Sequence, residues 1–166
     1  MSLLPPATPT SGQPEAEAEL LEPAPLFTGA CLCRAVRFAL LAPPERVGNC
    51  YCPDCQKNAG GPGQTYAICP NTSMRITDPQ SLSRVYVVLK TGSGKSKEKH
   101  FCAGCGCTLW TVVATRPGAR VVRVGLIDGG LQRLLPQVEL FTSRRPGWIP
   151  PVPGADQWES APPAPD

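Results

Sequence analysis

The sequence predicts a mainly β domain organised around metal, and three observations carry that reading. Seven of its nine cysteines fall into three tight clusters, Cys31-x-Cys33, Cys50-x-Cys52-x-x-Cys55 and Cys102-x-x-Cys105. Short β-branched runs with alternating polarity recur, while helical periodicity is weak throughout. Gly, Pro and Asn punctuate the gaps, as in Thr91-Gly92-Ser93-Gly94 and Arg116-Pro117-Gly118.

Residues 1–26 carry six prolines and four glutamates with little to bury, so they are expected to be a disordered tail. Residues 27–149 form the expected zinc-binding domain. Residues 150–166 read as a second tail, docked at most in part through Trp158. Within the domain, Ala35 to Leu41 alternates Val36, Phe38 and Leu40 against Arg37 and Ala39 and reads as a strand. Further strands are expected over Gln64 to Cys69, Arg84 to Lys90, Thr108 to Thr115, Arg120 to Ile127 and Gln137 to Phe141. Any helix is expected to be a short turn.

The N-terminus lacks the charged start and apolar stretch of a signal peptide, and its acidity argues against a mitochondrial leader. No window approaches the ~18–20 apolar residues of a membrane span. The expected location is the cytoplasm, a reducing compartment where clustered cysteines hold metal rather than form disulfides; the nucleus is compatible with the same reasoning. Residues 27–148 hold sixteen Lys/Arg against six Asp/Glu, formally +10. Seven thiolates and two Zn²⁺ would lower this to about +7. Such a surface suits an anionic small molecule or nucleic acid. No aromatic residues interleave with Lys90, Lys95, Lys97 and Lys99 as a base-stacking platform would require, so these read as a solvated hairpin tip.

Four thiolates complete a closed structural zinc site, and three leave one position open for a reactant. Cys-x-Cys on an extended strand places both side chains on one face, so Cys31 and Cys33 can share a metal, as can Cys50 and Cys52. Cys102-Ala103-Gly104-Cys105-Gly106 has the spacing of a zinc knuckle, and Cys52-Pro53-Asp54-Cys55 reads as a second knuckle-like turn. Spacing alone leaves open which clusters share an ion. Cys31 and Cys33 can be completed by the knuckle at 102–105 or by part of the middle cluster.

Gly29-Ala30-Cys31-Leu32-Cys33-Arg34-Ala35-Val36-Arg37-Phe38, Cys50-Tyr51-Cys52-Pro53-Asp54-Cys55-Gln56-Lys57 and Phe101-Cys102-Ala103-Gly104-Cys105-Gly106 together resemble the glutathione-dependent formaldehyde-activating enzyme family, also called the centromere protein V family. Glu139-Leu140-Phe141 and Arg145-Pro146-Gly147-Trp148 resemble its end, so the likeness covers roughly residues 27–158. It implies a zinc-containing β-tent of the Rab exchange-factor-like kind. It further implies a structural zinc on Cys31, Cys33, Cys102 and Cys105, and a catalytic zinc on Cys50, Cys52 and Cys55. Arg34 stands where the family usually has glycine, and Tyr51 where histidine or asparagine is frequent.

The implied activity is that of a carbon–sulfur lyase acting on a glutathione adduct, like an S-(hydroxymethyl)glutathione synthase, within detoxification or a biosynthetic pathway. Glutathione or a conjugate is the expected partner, with no membrane and no nucleic acid. A noncatalytic zinc-stabilised binding module or a glutathione carrier is the competing expectation. Three thiolates on Zn²⁺ carry a net charge of about −1, a poor Lewis acid towards water that can still accept another thiolate. Lys57 and the Gly60-Gly61-Pro62-Gly63 loop are the candidates weighed for holding an anionic tripeptide, against a plain reading as surface and turn.

Other signals are set aside. Thr91-Gly92-Ser93-Gly94-Lys95-Ser96 imitates a phosphate loop but lacks the earlier glycine. His100 reads as a strand neighbour without a metal role. Cys107 and Cys69 read as small buried hydrophobes, and Trp110 as core. Asp54 reads as a turn-stabilising residue or a proton-transfer aid.

Overall fold

In the computed structural model, which describes residues 24–91 and 94–161, the chain folds as two β-sheets packed face to face. The expected tail over residues 1–26 lies mostly outside the described residues. The smaller sheet holds β1 (Phe27–Ala30), β2 (Arg37–Leu40) and β5 (Met74–Thr77), all antiparallel. The larger runs, edge to edge, β11 (Asp156–Trp158), β10 (Val138–Leu140), β3 (Arg46–Cys50), β4 (Gln64–Pro70), β9 (Ala119–Arg123), β8 (Thr108–Val113), β7 (Lys97–Cys102) and β6 (Ser83–Val88). Its pairings are antiparallel except for the parallel β3–β10 and β10–β11 contacts.

The alternation in β2 decides which face is buried. Phe38 and Leu40 point inward at 3% and 0% exposure, while Arg37 is exposed. They meet Val47, Ala67, Cys69, Trp110 and Val122 from the large sheet, and Phe38 packs edge-on against Trp110 with ring centroids 6.5 Å apart. Gly29 is required on β1, because a Cβ there would collide with the Phe38 ring and the Leu126 carbonyl. A register shift between His100 and Phe101 leaves Leu109 as an extra residue on β8. Consecutive Leu109 and Trp110 are therefore both buried, and the bulge turns the chain towards Cys102.

The other face of the large sheet carries a different set of side chains. Gln64, Tyr66 and Ile68 of β4, Val121 and Arg123 of β9, Thr111 and Val113 of β8, and Lys97 and Lys99 of β7 face the same cavity. One helix, α1 (Pro53–Ala59), lies beside it, and a second, α2 (Gly130–Arg133), is a single turn.

The structure corrects three expectations. Cys31 and Cys33 do not lie on a strand, because β1 ends at Ala30 and both follow in a turn. Cys52-Pro53-Asp54-Cys55 is no knuckle but the start of α1, with Pro53 in its first turn, a position where the missing N–H costs nothing. The expected strand over Arg120 to Ile127 ends at Arg123 in a 3₁₀ turn. Strands β3 and β7 were not expected, since neither Arg46-Val47-Gly48-Asn49-Cys50 nor Lys97-Glu98-Lys99-His100-Phe101-Cys102 has β-branched density. The chain beyond residue 150 contributes β11, whose Asp156 and Trp158 are exposed. No helix among the described residues is long and apolar enough to cross a membrane.

Candidate functional site

The first cysteine group joins two distant turns. Cys31 and Cys33 sit in the β1–β2 turn, closed by Cys31 N–H donating to Val36 O at 3.0 Å and Arg34 N–H to Cys31 O at 2.9 Å. Arg34 adopts φ 62°, the left-handed region that favours glycine. Cys102 ends β7, and Cys105 follows in a knuckle where Cys102 N–H donates to Cys107 O at 2.9 Å and Gly106 takes φ 71°. These turns bring the sulfurs of Cys31, Cys33, Cys102 and Cys105 within 4.8 Å of one another. The Cys31–Cys33 and Cys33–Cys102 sulfur separations are 3.5 and 3.7 Å. A tetrahedral Zn²⁺ with bonds of ~2.3 Å sets its sulfurs ~3.8 Å apart, so the donor set fits a closed metal site. Cys31 also accepts from the Val36 N–H at 3.4 Å, and this bond with those from Cys33 and Cys102 outweighs burial and holds its thiol low.

The second group is built from a strand end and a helix start. Cys50 is the last residue of β3, Cys52 caps α1, and Cys55 follows one helical turn later, on the same side. Their three sulfurs also lie within 4.8 Å of one another. Hydrogen bonding to Cys52 and Cys55, with burial, pushes the Cys50 thiol far up. Cys52, stabilised by Cys50 and Cys55, is pulled down to about 2. Cys55 is held down by Cys50 but lifted by Cys52 and burial to about 11. Three crowded thiols cannot all ionise without a cation to absorb the charge.

A cavity of about 240 Å³ opens directly beside this group, lined by Cys50 and Cys55. None of Cys31, Cys33, Cys102 and Cys105 lines this cavity, and Cys107 and Cys69 stand outside both groups. Lys97, Lys99 and Arg123 line the cavity, which overturns the solvated-tip reading for Lys97 and Lys99, while Lys90 and Lys95 are exposed as expected. Lys97 Nζ lies 2.6 Å from Asp54 Oδ2, tying β7 to α1, so Asp54 serves as neither turn cap nor free acid. Arg123 Nη2 donates to Thr111 Oγ1 at 2.7 Å, and the Gln64 amide, with its oxygen turned inward, accepts from Arg123 Nε at 2.7 Å. Burial pulls the Arg123 guanidinium down to about 10 against the opposing pull of the Cys55, Cys50 and Cys52 charges. Among the described residues no carboxylate pairs with Arg123, and negative charge on the three-cysteine group is what favours its charged form.

Tyr51, between two cysteines of the second group, is fixed from behind. Its N–H donates to Leu140 O at 3.0 Å and its hydroxyl to Glu139 Oε1. Glu139 is fully buried and also accepts from Arg145 Nη1 at 3.1 Å, Val152 N at 2.7 Å and Gln157 Nε2 at 2.7 Å. Burial alone would raise its carboxyl, but the bonds from Tyr51, Gln157 and Val152 and the Arg145 charge together hold it below the usual range. Tyr51 is itself pushed up to about 12 by burial and by Glu139. Sequence reasoning missed this buried carboxylate.

Of the residues weighed for anion binding, Lys57 is exposed and does not line the cavity, and Gly60 caps α1 with φ 61°. Gly63 is needed for close approach, since a Cβ there would sit 2.7 Å from the Tyr51 ring. His100 stacks near Trp110, centroids 5.5 Å apart, away from both cysteine groups.

Comparison with known proteins follows the same lines. The family model for the glutathione-dependent formaldehyde-activating enzyme matches residues 26–144. A protein of Halomonas elongata, provisionally named a glutathione-dependent formaldehyde-activating enzyme, is 30% identical over 125 residues, 75% of this chain and 80% of that protein. An uncharacterised lyase of Schizosaccharomyces pombe is 27% identical over 105 residues, covering 63% of this chain and 71% of its own. A crystal structure of a Rhodobacter sphaeroides protein aligns with TM-score 0.49 and 19% identity, over 79% of this chain and 98% of that one. With a model spanning both cysteine groups, the chain belongs to the glutathione-dependent formaldehyde-activating enzyme family.

Proposed function

We propose that this protein is a zinc-dependent carbon–sulfur lyase acting on a glutathione adduct, of the S-(hydroxymethyl)glutathione type. The observation that carries the reading is the contrast between the two cysteine groups: Cys50 and Cys55 of the three-sulfur group line the cavity, and none of the four sulfurs of the other group does. Cys31, Cys33, Cys102 and Cys105 would hold a structural zinc, and Cys50, Cys52 and Cys55 a second, reactive one. The cytoplasm remains the proposed location, because these thiols must stay reduced.

The second zinc would supply a binding place for a thiol sulfur as thiolate, the nucleophilic form. The chain's own residues do the rest. Cys50, Cys52 and Cys55 would hold the metal, and Cys50 and Cys55 line the cavity beside it. Arg123 offsets the net negative charge of the three-thiolate site from within hydrogen-bonded, buried surroundings. Tyr51 and Glu139 fix the backbone that carries Cys50 and Cys52. In the forming direction the thiolate sulfur bonds to the formaldehyde carbon and the carbonyl oxygen takes up the proton. In the lyase direction the hydroxyl loses that proton, the carbon–sulfur bond breaks, and its electron pair returns to sulfur.

The adduct also forms without catalysis, so the test is exchange spectroscopy by NMR of glutathione, formaldehyde and adduct at equilibrium. The zinc-loaded protein is expected to raise the exchange rate above the uncatalysed value, and Cys55→Ser to return it to that value. Binding of glutathione with no rate increase would make the protein a carrier, and no binding at all would overturn the reading.

A further inference from the structure

Resting on the reading above, we propose that the cavity selects thiols ending in a free carboxylate, and that Lys99 is the residue that receives it. In glutathione this is the glycyl end. The sheet register sets the geometry. Lys99 of β7 pairs with Thr111 of β8, Thr111 with Val121 of β9, and Val121 with Ile68 of β4, and all four side chains line the cavity. On β3 this row meets Arg46, while Cys50 pairs with Gln64 four residues along β4; Cys50, Cys55 and Lys99 nonetheless line the same cavity. A thiolate at the cysteine end and an acidic group several bonds away can then both be met.

The cations along this floor are not equivalent. Lys97 is engaged by Asp54 at 2.6 Å, and Arg123 by Thr111, Gln64 and the thiolate charges. Lys99 alone of the three has no ion-pair or hydrogen-bond partner among the described residues, although it is half-buried. Burial, Arg123 and Lys97 disfavour its charge more than Asp54 and Cys55 favour it, so an anion beside it offsets the balance. Beside the polar Asn58, Gln64 and Thr111, the walls carry apolar Ile68, Val113, Val121 and Leu140, which strengthens a charge-assisted contact.

The same charges choose the end of the tripeptide. The glycyl end presents a lone carboxylate. The γ-glutamyl end carries an ammonium as well, which Lys97, Lys99 and Arg123 would repel. At about 240 Å³ the cavity is smaller than the ~300 Å³ at the low end of small-ligand pockets, so it takes one end of a tripeptide and leaves the other outside.

The test is calorimetric titration of the zinc-loaded full-length protein with glutathione and with its glycyl monoethyl ester, which keeps the thiol and loses the charge. The wild type is expected to bind the acid ~10- to 100-fold more tightly than the ester, the worth of one charge-assisted bond. Lys99→Gln is expected to abolish that ratio with ester affinity and zinc content unchanged, and Lys99→Arg to retain most of it. Equal affinity for acid and ester in the wild type, or an undiminished ratio in Lys99→Gln, would overturn the inference while leaving thiol binding intact. Failure of both ligands to bind would overturn the proposed function, and this inference with it.

Discussion

Replacing Glu139 by Gln removes a charge without changing shape. The carboxylate is fully buried and accepts from Tyr51, Arg145, Val152 and Gln157. The substituted amide keeps one acceptor oxygen and turns an NH₂ group towards donors, leaving Arg145 without its counter-charge. Breaking a buried ion pair costs ~3–5 kcal/mol. Arg145 is 17% exposed and can recover some water, so the expectation is lowered to about 2–4 kcal/mol. For a domain of this size that corresponds to a fall in Tm of roughly 8–15 °C, read by calorimetry or circular dichroism. Because Tyr51 lies between Cys50 and Cys52, the variant is also expected to lose its second zinc to a chelator sooner than the wild type. The pH dependence has a definite sign. Glu139 has a depressed folded pKa, so its stabilisation is present above the unfolded value of ~4.3 and fades as pH falls through the folded value. The gap between wild type and variant, measured in the same buffers, should close on acidification. A Tm within about 2 °C of wild type at pH 7, or a gap unchanged in acid, would refute the reasoning.

Three further substitutions probe the cysteine groups and their surroundings. Cys31→Ser is expected to cost folding as well as zinc, because metal bound by a closed structural site is folding energy. Cys55→Ser is expected to release one metal with a much milder loss of Tm, and equal collapse of both variants in thermal melts would contradict the assignment. Arg34 holds φ 62°, which costs a non-glycine residue ~1–2 kcal/mol, while glycine loses ~0.5–1 kcal/mol through the freer unfolded chain. Arg34→Gly is therefore expected to stabilise by about 0.5–1 kcal/mol in denaturant melts, and destabilisation would show that the side chain itself matters.

The cysteine grouping was legible because ligands announce themselves by type and spacing, and the structure brings together the sulfurs that resemblance had sorted. Local geometry was less legible. Cys-x-Cys suits a strand by parity, yet a left-handed Arg34 and the end of β1 make the first pair a turn. The start of α1 was obscured because Pro53 signals a turn and a helix N-terminus equally well. The cavity's cationic wall was missed for a physical reason. Lys97 and Lys99 sit in a charged stretch beside Gly and Ser, and only their spacing of two hints at one face of a strand. Arg123 left a clearer trace, a charge within the Val121-Val122-Arg123-Val124 run, where burial demands a partner. Glu139 could not be read as buried, since its four donors come from residues as far apart as Tyr51 and Gln157.

The central claim is that the two cysteine groups each hold a zinc, one closed and one open to chemistry. Metal analysis of the purified wild type and of Cys55→Ser tests it most directly. Two zincs per chain in the wild type and one in the variant are predicted; a single zinc in the wild type would contradict it.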